Sequence, residues 1–319
     1  MTHLSLAASK LLYSQNPNSM IQAAAKTLSK SRSVADIDAT LSAIEFLGID
    51  PLVVAAFGTP KAAIRSGVSP ELAKAIRTAR PKYLPDSGLV IQGNLICKGI
   101  SSVCIPALRG VGGSILVQPD QSVVLENLTL VEGDIRVPTN GSFTSACLES
   151  AQGLKGDEAE RIYLPALTWL GETGLGVDSC HDLELPSLRG IGGSARVTKC
   201  ADLDLQSLRT IDGDLTVLNS PYIVVPNLEI VHGSMEVWKD CPRSFGRLHT
   251  IDGKLRVHHA PNFHLPSLHS LHEGLIARHS NGLSLPSLER LGKFIDLTAA
   301  LPTPETQRRI MEAIANGWW

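Results

Sequence analysis

The sequence predicts an α+β protein in which a helical N-terminal segment precedes a parallel β-solenoid with a C-terminal capping helix. Three observations carry this reading. Glycine recurs at Gly93, Gly113, Gly133, Gly193, Gly213, Gly233 and Gly253, always in steps that are multiples of 20, which is the signature of a stacked structural repeat. Leucine keeps the same period at Leu108, Leu128, Leu148, Leu188, Leu208, Leu228, Leu248, Leu268 and Leu288. Finally, short alternations such as Leu215/Val217 and Leu255/Val257 put two apolar side chains on one face of a strand. One turn cannot bury such a stripe, but turns stacked about 4.8 Å apart convert each column into a continuous apolar ladder.

The elements follow in chain order. Residues 1–18 form a polar leader, rich in Ser and Asn and without an acid; its composition reads as a disordered or targeting segment. Residues 19–85 form a helical cap or small bundle. Helices are expected near 19–30, 34–47, 60–66 and 70–79, with Gly48, Gly58 and Gly67 as stops. Thr59-Pro60 and Ser69-Pro70 each place a capping hydroxyl before a proline at the first helical position. Pro85-Asp86-Ser87-Gly88 reads as the break into the next unit.

The solenoid then occupies 86–300 in about ten turns, each reading L-x-x-I-x-G-x-L-x-V, a spacer, and L-x-L-P. The glycine marks a bend where a side chain would clash or φ must be positive, and the proline fixes the opposite corner. One turn is irregular: between Thr139 and Leu164 the register keeps Leu148 and Gly153 but is expected to lose its strand, since Lys155 and Asp157 fall where apolar residues belong. Residues 301–319 close the chain as a helix from Thr303-Pro304-Glu305 to Asn316-Gly317, with Ile310, Met311 and Ile314 on one face. Its expected role is to cover the open end; an exposed tail bearing Trp318 and Trp319 is the alternative.

Composition bounds the function classes. The 319 residues are 43% hydrophobic with a formal net charge of −2, which gives no bulk drive toward nucleic acid. No apolar run is long enough to span a membrane, and no cleavable signal peptide is evident. The six cysteines are scattered, without a C-x-x-C pair, which favours reduced thiols in a cytosol-like compartment. Cys180 and Cys200 lie one period apart and read either as a disulfide or as part of a small reduced core ladder that Ser220, Ala260 and Ser280 continue. No phosphate-binding loop, G-x-S-x-G, H-E-x-x-H or dinucleotide fingerprint occurs, so neither cofactor nor catalytic residue is assigned. An enzyme or toxin with its site in the 139–164 loop or the helical segment, or a carbohydrate-active β-helix, is the alternative class.

The segments L-x-V-x-x-C at Leu175 to Cys180 and A-x-V-x-x-C at Ala195 to Cys200, followed by L-x-L-P at Leu183 to Pro186 and by Leu203-Asp204-Leu205-Gln206, resemble the leucine-rich repeat. The 20-residue period with L-P resembles the short repeats of bacterial type III secretion effectors, and the same unit also resembles receptor L-domains. Two departures stand out. The usual Asn ladder is replaced by Cys180, Cys200, Ser220, Ala260 and Ser280, and the next apolar residue (Leu183, Leu203, Ile223, Phe263, Leu283) comes one place late. The resemblance implies a helical cap before the solenoid and a binding protein secreted into a host cell without a cleaved signal. The ubiquitin-ligase domain that several such effectors append is not expected here.

Outward strand positions then define the candidate site. Arg196, Glu236, Trp238, Lys239, Arg256, His258, His259, Arg278 and His279 are read as one basic, aromatic strand face in the C-terminal half, suited to a protein partner with an acidic surface. The competing reading is a solvated face that needs charge to avoid lateral pairing. His259 and His279 are one period apart, but no carboxylate or thiolate shares their column, so no metal site is assigned.

The inward and outward assignment is testable. Leu215→Asp is expected to cost about 4 kcal/mol, because an unpaired charge enters the core, whereas Thr216→Asp should cost less than about 1 kcal/mol. Equal losses of melting temperature would overturn the assignment.

Overall fold

In the computed structural model the described residues are 17–32, 34–47, 49–65, 68–84, 88–200, 202–239 and 245–316. The expectations placed on residues 1–16, Gly48, Gly67, 85–87, Cys241 and Gly317 to Trp319 lie outside them. Among the described residues, five helices precede the solenoid: α1 (Pro17–Lys30), α2 (Val34–Phe46), α3 (Pro51–Phe57), α4 (Pro60–Arg65) and α5 (Pro70–Thr78). Helix α3 is an addition to the sequence reading. Its start repeats the hydroxyl-or-carboxylate-then-proline signal, with Asp50 Oδ1 accepting from Leu52 N at 2.8 Å. Small side chains let these short helices approach closely: Ala24, Ala56 and Ala62 are fully buried with Ile21, Leu28, Val53 and Ile76. Arg77 Nε donates to the Ala56 carbonyl at 3.2 Å, placing a cation at the C-terminus of α3 where the helix dipole favours it.

The strand Pro81–Leu84 then runs antiparallel to Gly88–Ile91, pairing Pro81 with Ile91. This reversed strand covers the first edge of the solenoid, where unpaired backbone groups would otherwise invite another chain. Every later pairing between strands of the solenoid is parallel, through about ten turns of roughly 20 residues. The core is continuous from Ile21 through the solenoid to Ala313.

Among the described residues, seven turns contribute three stacked stretches where the sequence pattern showed one strand. The first is short, as in Thr210–Ile211 stacked on Gly190–Ile191 and beneath Ile230–Val231. The second is the L-x-V strand, as in Leu215–Leu218. The third belongs to a separate seven-stranded sheet running from Ser102–Cys104 to Tyr222–Val224. Its central residues include Val103, Val123, Phe143, Ile162, Leu183, Leu203 and Ile223, all buried. The apolar residue that comes one place late is therefore the middle of this third strand, which is why it points inward.

Corners are made by different means. After the third strand, Leu108 N donates to Ile105 O at 3.1 Å and Leu208 N to Leu205 O at 3.0 Å, closing β-turns whose second residue is Pro106 or Gln206. The glycine column is set by clearance. Gly213, Gly233 and Gly253 do not have positive φ, but a β-carbon at Gly253 would stand 2.7 Å from the Gly233 carbonyl carbon. The third corner does use left-handed backbone, at Ser179, Lys199, Asn219, Lys239, His259 and His279 with φ between 44° and 54°.

The irregular turn keeps its strand. Ser150–Asp157 is eight residues long and pairs on both sides, with Leu154 aligned to Ile135 and Leu175. Lys155 is only partly buried and Asp157 is exposed, while Leu154 and Gly156 fill the core positions. Leu154 follows Ile135 by one residue fewer than the period, and Leu175 follows Leu154 by one more. A short turn followed by a long one restores the phase, and the adjustment is taken up between Ala151 and Gly153.

Helix α6 (Pro304–Ala315) closes the other end. Thr306 is fully buried and its hydroxyl accepts from Leu285 N at 2.7 Å, satisfying a backbone donor of the last turn. Ile310 and Ala313 face the core, while Met311 is 66% exposed and Ile314 lies at the margin at 37%. The apolar face is thus Thr306/Ile310/Ala313, the i, i+4, i+7 row. Deleting 302–319 is expected to yield aggregated protein by light scattering, since it bares this edge; a monodisperse product with unchanged melting temperature would show that the helix is no cap.

Candidate functional site

Stacking in register builds the candidate face. The strands Ala195–Thr198, Leu215–Leu218, Met235–Trp238, Lys254–His258, Gly274–Arg278 and Phe294–Asp296 align Arg196 with Thr216, Thr216 with Glu236, Glu236 with Arg256, Arg256 with Ile276, and Ile276 with Asp296. One step further along, Leu218, Trp238, His258 and Arg278 form the next column. Alternation sends Met235, Val237, Leu255 and Val257 into the core, each fully buried. Their neighbours are turned outward by the same pleat.

Trp238 stays 40% exposed and is flanked by rings. Its centroid is 4.9 Å from that of His258 and 5.8 Å from that of His259, and His259 stacks on His279 at 4.8 Å with 13° between planes. Lys239, His259 and His279 do not lie on the strand, as the sequence reading had them. They occupy the left-handed corner that follows it. Each corner is pinned by a bond to the next turn, Lys239 N to His258 O at 2.9 Å and His259 N to Arg278 O at 3.0 Å, which offsets the cost of left-handed backbone for a residue with a β-carbon.

The charges divide into committed and free. Arg278 donates through Nε and Nη2 to Asp296 Oδ2 at 2.9 and 2.7 Å. Thr298 and then Arg278 hold the Asp296 carboxyl down to about 2. Arg278 is therefore a positioned side chain with its fork occupied. Asp296 was not singled out from the sequence, although it closes the 236/256/276 column. By contrast, Arg196, Lys239 and Arg256 form no ion pair among the described residues. Arg196 lies two turns from Glu236, about 10 Å on the stacking distance, and so stands apart from the Trp238 cluster. Lys254 Nζ sits 5.6 Å from the Phe294 ring centroid, a cation–π contact not read from the sequence.

His258 is pushed below its ordinary pKa of 6.5, chiefly by burial and then by Arg278, His259 and Arg256, with Glu236 opposing. Cys180 and Cys200 are free thiols, buried to 2% and 0% exposure, and belong to the core ladder. Among the described residues no three His, Cys, Asp or Glu side chains converge as a metal ion would require, and no helix is long and apolar enough to cross a membrane.

A second polar column was missed. Asp212, His232, Asp252 and His272 recur at the period, and Asp252 holds both histidines, His232 Nδ1 at 2.7 Å and His272 Nδ1 at 2.8 Å. The alternation of Asp and His was visible in the x of I-x-G.

No family model, no curated protein and no solved structure matches this chain.

The depressed His258 fixes a sign. Folding disfavours its protonation, so its stabilising contribution is present above pH 6.5 and is lost as pH falls through the lowered folded value. His258→Gln is expected to lose less melting temperature than the parent between about pH 7 and about pH 5. A variant whose pH profile parallels the parent's would refute this.

Proposed function

We propose that the chain is a non-enzymatic, protein-binding solenoid whose C-terminal strand face docks a protein with an acidic surface. The observation that carries this reading is Trp238, exposed amid His258, His259 and His279, beside the unpaired Arg256. An exposed tryptophan can bury a large apolar area on docking, and an arginine without a partner has its directed donors free for carboxylates. Such anchors commonly contribute about 2 kcal/mol or more each at hot spots. Lys239, at the corner that follows Trp238, adds further positive charge, against Glu236 and the already paired Asp296.

The finer reading rests on the repeat itself. The 20-residue unit with L-P resembles that of secreted bacterial effectors, and this supports a protein delivered into a host cell to act on a host protein. The leucine-rich-repeat assignment belongs to the same proposal.

The test compares retained proteins. Immobilised full-length chain and its Trp238→Ala/Arg256→Glu variant are exposed to host-cell lysate, and bound proteins are identified by mass spectrometry. The parent is expected to retain an acidic protein that the variant loses, with circular dichroism unchanged and capture weakened by salt. Equal capture by both would remove the function from this face.

A further inference from the structure

The face formed by the first strand segments carries an exposed tryptophan that the partner-binding reading does not use. Trp169 opens the ten-residue strand Trp169–Asp178, is paired with Ser150 on one side and Gly190 on the other, and remains 42% exposed. Its ring lies flat on the next turn. A β-carbon at Gly190 would stand 2.7 Å from Trp169 Cε3, and one at Gly192 would stand 3.3 Å from Cζ2. Gln152 is laid down in the same way across Gly171, where a β-carbon would come within 2.9 Å of its Cδ. The glycines thus form a floor on which one aromatic plane and one amide rest with their outer faces free.

Around this floor lies a shallow depression of about 630 Å³ lined by Gln152, Trp169, Gly171, Glu172, Gly192 and Asp212. Toward the N-terminal end of the same face a second depression, about 250 Å³, passes over Gly110 and Gly112 beside Leu130 and Glu132. Leu130 is itself 43% exposed. Trp169 and Leu130 are two turns apart, about 10 Å on the stacking distance, so the two depressions succeed each other along the solenoid axis. The side chains of Gln152, Glu172 and Asp212 make no hydrogen bond or ion pair with any described residue.

We propose that this groove binds a neutral oligosaccharide, with Trp169 as the stacking platform and Gln152, Glu172 and Asp212 as hydrogen-bonding partners. A flat aromatic face on a glycine floor matches the C–H face of a pyranose ring, and unpaired carboxylates and an amide match its hydroxyl donors. Two carboxylates without a counter-cation exclude an anionic sugar. Its course across several turns suits a chain of sugar units, and a basic peptide is the occupant that the experiment sets against it. The site is independent of the Trp238 face.

Isothermal titration of the full chain with cellohexaose, laminarihexaose, mannohexaose and chitohexaose tests the proposal. At least one is expected to give saturable binding that Trp169→Ala weakens at least about tenfold. Gly190→Ala, which places a methyl group where the ring lies, should weaken the same sugar, as should Glu172→Gln combined with Asp212→Asn. That surface pair keeps the test valid should Trp169→Ala fail to fold. Trp238→Ala should bind as the parent does. Absence of binding by all four sugars, binding indifferent to both the Trp169 and the Glu172/Asp212 changes, or Trp169-dependent binding of poly-lysine in their place would overturn it.

Discussion

Successive backbones touch at the glycine column, and the rest of the molecule depends on that contact. Gly213 N donates to Gly193 O at 3.0 Å, Gly233 N to Gly213 O at 3.0 Å and Gly253 N to Gly233 O at 2.9 Å. The approach leaves no volume for a side chain: a β-carbon at Gly213 would meet the Gly193 carbonyl carbon at 2.8 Å. Beside it runs a column of short polar side chains that satisfy the next turn's amide, as Ser194 Oγ does for Asp214 N at 3.1 Å, Asp214 Oδ1 for Ser234 N at 2.7 Å and Ser234 Oγ for Lys254 N at 3.1 Å. Together these lock each turn against a one-residue slip, which would turn Leu215, Val217 and their column mates outward. At Glu273 the glycine is absent and Gly274 takes an unusual φ of 149° instead, so the bend is kept by a neighbouring residue.

Register fixed in this way makes surface chemistry additive along columns. A side chain chosen at one position acquires neighbours from residues 20 before and after it, which is how Trp238, His258 and Arg278 become adjacent without being close in sequence. The same rule makes the Asp252 carboxylate bridge two histidines. Both polar columns sit outside the predominantly apolar core, so they are free to vary without disturbing the stack.

What the sequence made legible follows from this one-dimensional order. The L-x-V strand, the glycine bends and the proline turns could be read because each leaves a residue type at a constant interval, and the helical ends because pairs such as Ser69-Pro70 and Thr303-Pro304 mark helix starts. The third strand is harder to see because its L-x-L alternation, as in the buried Leu203 and Leu205, spans only three residues and runs directly into the corner. Helix α3 is only seven residues long, PLVVAAF, and apolar all round, so it carries no amphipathic period. Trp169 was hidden by arithmetic. The short turn displaces it by one place, so a strict count of 20 aligns it with Glu149 and Arg189, whereas its true neighbours are Ser150 and Gly190. Left-handed corners at Lys239, His259 and His279 were unreadable for a different reason: nothing in a lysine or histidine announces positive φ when the bond that holds it comes from another turn.

Stacking at one turn per 20 residues is the claim on which both binding faces rest, and distance measurement between spin labels tests it most directly. With Cys104, Cys147 and Cys241 replaced by serine, labels at outward positions 116 and 196 are separated by four turns, and labels at 116 and 276 by eight. Pulsed electron paramagnetic resonance should give separations of about 19 and about 38 Å on the stacking distance. Two equal separations, or a second shorter than the first, would contradict the solenoid.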